Sequence, residues 1–421
     1  MISSKLVAID FGSSRISAMA AEVLEDGSIR VLSEESKPSD DIKYGIIEKA
    51  SGAAFKVNEL IKLLQNSAKI PDILNVSASI GARTMKHVPM TVSRFVAKPN
   101  IVTDELLADM LEECEKKSQR PDVTVYDVIP VSYLLDGKYM DDPVGQKAIQ
   151  VTAKYHVVLG SAVINSELDR CFDRTSIFRE YCPLSIESVS TVITDEAERE
   201  AGCAIVNLGA ATTTLSVYHD GVLQYLTVVP LGAGNITKDI AELGIDEADA
   251  ERLKCLKGCA TEAMVADPVY IQVPSRINPG EPVRISTRFL ATIIEARLEE
   301  ILQPVIEIID KLPFALDAGI VLTGGGSKLA GVLDFLVEKT GIYTRFGDHS
   351  DWLSDDTSEK YADPVYTQLV GTLVLANEYR KEHPIEVQLS TQKIKVPTKN
   401  KKWEKLANGF INFFGDENKM N

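Results

Sequence analysis

Two short segments of this chain share one pattern, and that pattern constrains the fold more than any other feature. Residues 7–23 read VAIDFGSSRISAMAAEV, and residues 204–220 read AIVNLGAATTTLSVYHD. Each segment runs from an apolar strand through Asp or Asn and a glycine into small residues, and then into a second strand, as a β-hairpin does. A third glycine turn, at residues 324–326, follows the apolar run AGIVLT. Two such hairpins about 200 residues apart, followed by a third glycine turn after a strand, indicate an internally duplicated nucleotide clamp.

The turns have the composition of a phosphate-binding site. A triphosphate is best held by several backbone N–H groups, and only glycine and small residues let a backbone approach closely enough. The predicted phosphate contacts are Gly12, Ser13, Ser14 and Arg15 in the first turn and Gly209, Ala210, Thr212 and Thr213 in the second. Asp10 is the carboxylate placed to hold the waters of Mg²⁺, and Asn207 stands at the corresponding position of the second hairpin. ATP with Mg²⁺ is therefore the predicted ligand.

Apolar spacing predicts several further elements. Residues 53–68 have helical spacing, with Phe55 assigned to the same face as the buried leucines. A second helix is predicted over 103–118, where Thr103 is the N-cap. Together with the strand-like segments that follow it, this helix makes residues 84–164 a unit of their own.

Composition excludes some classes of protein. The chain of 421 residues carries a formal net charge of −16, whereas nucleic-acid binding depends on a basic surface, so no nucleic-acid partner is expected. No apolar run reaches the roughly 18 residues that span a bilayer, and the opening residues reach Asp10 too early for a signal-peptide core, so a cytoplasmic location is expected. The six cysteines lack zinc-ligand spacing, because the closest pair, Cys255 and Cys259, has no histidine nearby.

The C-terminal segment differs in charge from the rest of the chain. Residues 393–405 contain six lysines and one glutamate, and residues 386–400 have the composition of a solvated linker. On a helical projection, the apolar side chains after residue 402 share one arc, which is typical of a helix lying in a membrane interface. The residues predicted to meet the membrane are Lys401, Lys402, Trp403, Leu406, Phe410, Ile411, Phe413 and Phe414. The alternative is a C-terminal helix that packs on the protein's own core.

Three sets of residues resemble known families. The three glycine turns, in this order and spacing, resemble the actin/Hsp70/sugar-kinase ATPase fold. The segment DVIPVSYLLDGKYMDDPVGQKAIQVTAKYHVV at 127–158 and the segment VVPLGAGNITKDIAELGIDEADAERLK at 228–254 resemble the FtsA family of bacterial division proteins.

The resemblance implies an α/β protein of the actin-like ATPase fold, with two duplicated lobes, an inserted subdomain and a C-terminal amphipathic helix. The implied boundaries are 1–83, 165–195 and about 360–385 for subdomain 1A, 84–164 for the inserted subdomain 1C, 196–235 and 312–359 for 2A, 236–311 for 2B, 386–400 for a flexible linker and 401–415 for the membrane-targeting helix.

The resemblance also implies roles for particular residues. Glu251 and Lys254 would hold the ribose and adenine, and Gly324, Gly325, Gly326 and Ser327 would close over the adenosine. The implied partners are the C-terminal peptide of FtsZ, further copies of the chain in a filament, membrane lipid, and later division proteins. Arg284, Arg288 and Arg297 are the candidates for binding the FtsZ peptide, which is partly acidic.

The chain departs from the family pattern in the second phosphate turn. The family usually has Asp at the position of Asn207 and glycine at Ala210 and Ala211. Because an amide cannot act as a general base, ATP hydrolysis is expected to be slow or absent. Two alternatives stay open on the same fold: an FtsA-like pilus-assembly protein that binds ATP, and a small-molecule kinase. A kinase needs a catalytic carboxylate, which Asn207 does not supply.

Overall fold

The N-terminal half of the chain builds one sheet and a smaller inserted one. The structure is a computed structural model, and it describes residues 5–278 and 280–383, without the side chains of residues 96–100. The first elements are β1 (Lys5–Phe11), β2 (Arg15–Val23), β3 (Ile29–Pro38), β4 (Ile42–Lys43), β5 (Ile46–Ile47), α1 (Ala50–Ser67) and β6 (Asn75–Ser79). The inserted elements are β7 (Lys86–Ile101), α2 (Asp104–Ser118), β8 (Val123–Leu135), β9 (Lys138–Met140) and β10 (Lys147–Ser161).

The remaining elements complete the first sheet and build the second. They are α3 (Val163–Phe172), β11 (Phe178–Tyr181), α4 (Ser185–Ile193), α5 (Glu196–Ala201), β12 (Cys203–Leu208), β13 (Thr213–His219), β14 (Val222–Val229), α6 (Ala233–Ala241) and α7 (Glu247–Lys257), then β15 (Tyr270–Val273), β16 (Val283–Ser286), α8 (Thr287–Ile309), β17 (Gly319–Thr323), α9 (Val332–Thr340), β18 (Thr344–Phe346) and α10 (Thr367–Glu382).

The two five-stranded sheets have the same design. The first has the order β11-β6-β1-β2-β3 and the second the order β18-β17-β12-β13-β14. In each, the first strand of the glycine hairpin is antiparallel to its successor and parallel to its other neighbour. The hairpins match in register, because Asp10 faces Ser17 and Asn207 faces Thr214 across loops of equal length. The predicted duplication is therefore confirmed, and we call the two halves lobe 1 and lobe 2.

The inserted unit has a core of its own. Its sheet has the order β7-β10-β8-β9, and α2 packs on one face through the buried side chains of Met110 and Cys114. Helix α2 begins as predicted, since the Thr103 hydroxyl accepts a hydrogen bond of 3.2 Å from the N–H of Leu106.

Two histidines connect the insert to lobe 2. The N–H of Leu226, on strand β14, donates to Nδ1 of His87 at 3.1 Å, and Nδ1 of His156 lies 2.7 Å from the carbonyl oxygen of Leu223. The two imidazole rings are 5.1 Å apart, and the His87 ring also contacts the Tyr225 ring. Since β14 is an edge strand, the insert covers part of the open edge of the lobe 2 sheet.

Helices α4 and α10 cross where the chain passes between the lobes. A methyl group on Gly371 would overlap the carbonyl oxygen of Ser188, so the helices approach to backbone contact. The hydroxyl oxygens of Thr372 and Ser188 lie 3.2 Å apart in the same place.

Some predictions need correction or fall outside the structure. Helix α1 forms as predicted, but Phe55 is 63% exposed, because at 100° per residue it lies opposite the buried Leu64. Within the described part of the chain, no helix combines the length and the apolar character that crossing a bilayer requires. The predicted linker at 386–400 and the predicted helix at 401–415 lie outside the described residues.

Candidate nucleotide-binding cleft

Both glycine hairpins open into one cleft between the lobes, with a volume of about 1900 Å³. Fourteen of the sixteen residues predicted to contact nucleotide line it, namely Asp10, Gly12, Ser13, Ser14, Arg15, Asn207, Gly209, Ala210, Thr212, Glu251, Lys254, Gly324, Gly325 and Gly326. Thr213 and Ser327 lie behind the lining. Their hydroxyls donate to the carbonyls of Leu231 and Gly324, so these two side chains support the turns and do not face the cavity.

The first turn needs glycine for a steric reason. A Cβ atom on Gly12 would come within 2.7 Å of the carbonyl oxygen of Arg15, which the tight hairpin brings close. The hydroxyl of Ser13 accepts a hydrogen bond of 3.4 Å from the N–H of Gly45, in the turn between β4 and β5. The loop is thus held by its own hairpin and by a neighbouring one.

Asp10 is the acidic side chain of this turn. Burial raises its pKa to about 6, and the positive charge of Arg15 opposes that rise. Its Oδ1 atom accepts a hydrogen bond of 2.8 Å from Nε2 of Gln368. At pH 7 the carboxyl is therefore mostly ionised and can accept hydrogen bonds from the waters of a bound cation.

The second turn is held from behind by helix α6. The N–H of Gly209 bonds to the carbonyl oxygen of Thr212 within the turn, while the N–H groups of Ala233 and Gly234 donate to the carbonyls of Gly209 and Ala210. A Cβ atom on Gly234 would come within 2.8 Å of the Ala210 oxygen. The glycine spacing of LGAGN is thus explained by the packing of a helix N-terminus against a phosphate turn.

The third glycine turn also lines the cleft. Gly324 has φ of +87°, and a methyl group there would overlap the side-chain oxygen of Asn207. Both the conformation and the contact require glycine. The turn therefore lies directly against the end of β12.

Glu251 and Lys254 form a polar cluster with Thr237 in the wall of the cleft. The Lys254 ammonium is buried and donates to the Glu251 carboxylate at 2.6 Å, the Thr237 hydroxyl at 2.9 Å and the Ala233 carbonyl at 3.1 Å. Burial alone would raise the pKa of Glu251, but the hydrogen bonds from Lys254 and Thr237 outweigh it and lower the pKa. Lys254 is therefore enclosed, although it lies on a short helix with many exposed polar residues.

The three arginines assigned to peptide binding lie away from the cleft and are not equivalent. Arg284 and Arg288 are exposed, with Arg284 stacked 4.0 Å from the Tyr270 ring and Arg288 donating to the carbonyls of Val265 and Ala266. Arg297 points toward α6, where it pairs with Asp239 through two nitrogens.

The cleft suits a hydrated Mg²⁺ ion better than a fully protein-bound metal. Within residues 5–278 and 280–383, no three His, Cys, Asp or Glu side chains cluster as metal ligands. Mg²⁺ usually keeps several waters and takes one or two carboxylates together with substrate phosphates. Asp10, a hard oxygen donor beside the first phosphate turn, fits that pattern.

The two lobes and the cleft define a protein of the actin-like ATPase fold. A chain of the PilM–PilN type IV pilus biogenesis complex matches with a TM-score of 0.63 at 16% identity, covering 88% of this chain and 98% of that one. MreB5 of Spiroplasma citri bound to AMPPNP matches with a TM-score of 0.55 at 13% identity, covering 91% and 99%. The MamK double helical filament gives 0.52 at 12%, covering 89% and 98%. These identities show the fold alone.

Sequence comparison narrows the class to one family. The model of cell division protein FtsA matches residues 204–371, and the model of the SHS2 domain inserted in FtsA matches 86–159, so the two cover more than half of the chain. Cell division protein FtsA of Borreliella burgdorferi is 26% identical over 96% of this chain and 98% of its own length. FtsA of Escherichia coli (strain K12) is 25% identical over 96% and 97%. This chain belongs to the FtsA family of cell division proteins.

Proposed function

We propose that the chain is an ATP-binding division scaffold that polymerises on the cytoplasmic face of the inner membrane and anchors FtsZ filaments there. The observation that carries this proposal is the cleft, in which both phosphate turns, the third glycine turn and the Glu251–Lys254 cluster line one cavity of a chain in the FtsA family. The structural similarity to PilM is weaker support for the pilus-assembly alternative than the family models are for the division scaffold. Both FtsA models match this chain, and one of them covers the inserted unit.

ATP would lie with its phosphates between the two turns. Backbone N–H groups of the turns would face the phosphates, Glu251 and Lys254 the ribose and adenine, and Asp10 the waters of Mg²⁺. When bound, the cation would neutralise phosphate charge. The ligand would contact both lobes. It would favour an arrangement with the lobes closer together if it binds that arrangement more tightly than an open one.

Assembly would proceed through repeated contacts between copies. A head-to-tail contact that does not close on itself produces a filament. In a filament, many weak membrane segments act together, so each C-terminal segment needs only a modest affinity. Later division proteins would be recruited through the insert, which carries its own sheet and core.

The FtsZ peptide would bind lobe 2 near β15, β16 and α8. Exposed Tyr270 and Phe289 provide apolar contacts in this region, and Arg284 and Arg288 provide positive charge for an acidic segment. Arg297 contributes less to this surface, because Asp239 and Glu300 already neutralise it.

The experiment that tests the proposal is co-sedimentation of the full chain with vesicles that contain phosphatidylglycerol, with and without ATP and FtsZ. Two double variants separate apolar insertion from charge: Phe410→Glu with Phe413→Glu on the apolar arc, and Asn408→Glu with Asn412→Glu on the polar side. Both add two negative charges.

The full chain and the polar-side variant are expected to sediment with the vesicles and to bring FtsZ with them. The apolar-arc variant is expected to stay in the supernatant. Equal sedimentation of the two variants, or an unchanged chain that does not sediment, would overturn the membrane part of the proposal.

A further inference from the structure

Gln368, near the start of α10, contacts the carboxylate of the first phosphate turn. Its Nε2 atom lies 2.8 Å from Oδ1 of Asp10 and 2.9 Å from the hydroxyl oxygen of Ser79. A side-chain amide nitrogen carries two hydrogens, and here each has an acceptor. The opposite orientation of the amide would place its carbonyl oxygen against the carboxylate, so the contact with Asp10 fixes which way the amide points.

The hydrogen bond also fixes the orientation of the Asp10 carboxylate. Oδ1 is held by Gln368, while Oδ2 lies on the side of the phosphate turn, 3.7 Å from where a Cβ atom on Gly12 would stand. Without the bond, the χ2 torsion of an aspartate is broad, so either oxygen could turn toward the cleft. With the hydrogen bond, Oδ1 is held by Gln368 and Oδ2 faces the turn.

The backbone that carries Gln368 is well anchored. The preceding Thr367 hydroxyl lies 3.2 Å from the hydroxyl of Thr323, at the end of β17, and 3.2 Å from Nδ1 of His349. One turn later, the Thr372 hydroxyl donates to the Gln368 carbonyl at 2.7 Å and contacts Ser188 on α4. Neighbouring residues of one helix turn therefore reach Asp10 in lobe 1 and Thr323 in lobe 2.

We propose that Gln368 is a positioning residue for Mg²⁺-dependent nucleotide binding. It holds Asp10 so that Oδ2 faces the turn and can accept a hydrogen bond from a water of the cation. This inference rests on the proposed function, because it assumes that ATP binds in the cleft. The same contact ties the carboxylate to the helix that crosses α4, so its position follows that helix.

A purely structural role for Gln368 gives a different result. If the amide only stabilised the fold, its loss would weaken ATP binding to the same degree with and without Mg²⁺. If it positions Asp10 for the cation, its loss removes the part of the affinity that Mg²⁺ adds and leaves the rest. The ratio of the two dissociation constants therefore separates the two roles.

The test uses the full chain and a fluorescent ATP analogue, titrated in buffer with Mg²⁺ and in buffer with EDTA. Gln368→Met keeps the length of the side chain and removes both N–H donors. Ser79→Ala removes the other acceptor and leaves the bond to Asp10, and Gln303→Met makes the same change on the exposed side of α8.

Gln368→Met is expected to lose about tenfold in affinity with Mg²⁺, as for one hydrogen bond to a charged group, and to change less than twofold in EDTA. Ser79→Ala and Gln303→Met are expected to keep the Mg²⁺ dependence of the unchanged chain. Equal losses in both buffers, or a Gln368→Met variant with an unchanged Mg²⁺ dependence, would overturn the inference alone. No binding by the unchanged chain in either buffer would overturn the proposed function and this inference with it.

Discussion

Gly371 of α10 lies directly against the backbone of Ser188 in α4, and no side chain larger than a hydrogen atom fits between them. The two helices come from distant parts of the sequence and cross where the chain enters and leaves lobe 2. Both helices contribute buried side chains to the core around the lobe 1 sheet, so this contact fixes the segments that lead into and out of lobe 2 against each other.

Gly371→Ala is expected to lower the free energy of unfolding by about 3 kcal/mol, because the added methyl group forces two packed helices apart. Chemical denaturation of the full chain measures the change. Gly325→Ala is the matched control, since a Cβ atom there meets only Val365 Cγ1 at 3.6 Å, an ordinary contact. Equal free energies of unfolding for the two variants would show that helices α4 and α10 accommodate the added methyl group without loss of stability.

Lys254→Met is expected to weaken nucleotide binding and to lower the free energy of unfolding by about 1–3 kcal/mol. The buried ammonium has three acceptors, and removing it leaves the Thr237 hydroxyl and the Ala233 carbonyl without that donor. Lys257→Met changes an exposed lysine on the same helix and should alter neither quantity. Thermal unfolding and nucleotide titration of both variants measure the two quantities. Equal stability and equal nucleotide affinity of the Lys254 and Lys257 variants would contradict the role of Lys254.

The contact between His87 and His156 predicts a pH dependence of stability. Burial and the nearby His156 lower the pKa of His87 from 6.5 to about 4. Between these values the unfolded chain binds a proton that the folded chain does not, so the free energy of unfolding falls as pH drops from about 6.5 to about 4.

Substitution of His87 tests this dependence. Asparagine does not titrate in this range, and its side-chain oxygen can accept the bond from the N–H of Leu226. Denaturation at a series of pH values should show a shallower fall for His87→Asn than for the unchanged chain. Parallel curves for the two proteins would show that His87 does not carry the effect.

Charge reversal tests the proposed peptide surface. Arg284→Glu together with Arg288→Glu is expected to weaken binding of the acidic FtsZ peptide about tenfold or more, because attraction becomes repulsion. Arg170→Glu with Arg252→Glu reverses two other exposed arginines and should leave the affinity unchanged. Fluorescence anisotropy of a labelled peptide measures its affinity for the unchanged chain and for both double variants. Unchanged affinity in the Arg284→Glu, Arg288→Glu variant would show that these two arginines do not bind the peptide.

ATP turnover is expected to be slow or absent, because the second hairpin presents the amide of Asn207 where the first presents the carboxylate of Asp10. Asn207→Asp supplies a group that can accept a proton and is expected to raise turnover about 100-fold over that of the unchanged chain. Asn235→Asp adds the same charge elsewhere in the cleft and serves as the control. Rapid phosphate release by the unchanged chain, lost in Asp10→Ala, would contradict the prediction.

The phosphate turns could be predicted from sequence because their signal is local. A glycine that follows an apolar strand and an Asp or Asn predicts both the hairpin and the close approach of its backbone to a ligand. The structure shows why glycine is required at position 12, where a Cβ atom would overlap the Arg15 carbonyl oxygen. Helix α2 could be predicted in the same way, since Thr103 lies directly before the helix that it caps.

Other features depend on contacts between distant segments, for which the sequence carries no local sign. Gln368 meets Asp10 from the far end of the chain, and Gly371 is required only because α4 crosses there. Lys254 has the spacing of a surface residue and is buried only because α6 packs beside it. The assignment of Phe55 to the buried face was wrong because the apolar character of the residue was given more weight than its angle on the helix.

The histidine contact on β14 also protects the protein from a common hazard. An edge strand with free N–H and C=O groups can recruit a strand from another molecule and begin aggregation. Here imidazoles occupy the N–H of Leu226 and the carbonyl of Leu223. Removing the insert to simplify the molecule would therefore uncover an adhesive sheet edge, and shortened proteins of this kind should be designed with a charged or proline residue on β14.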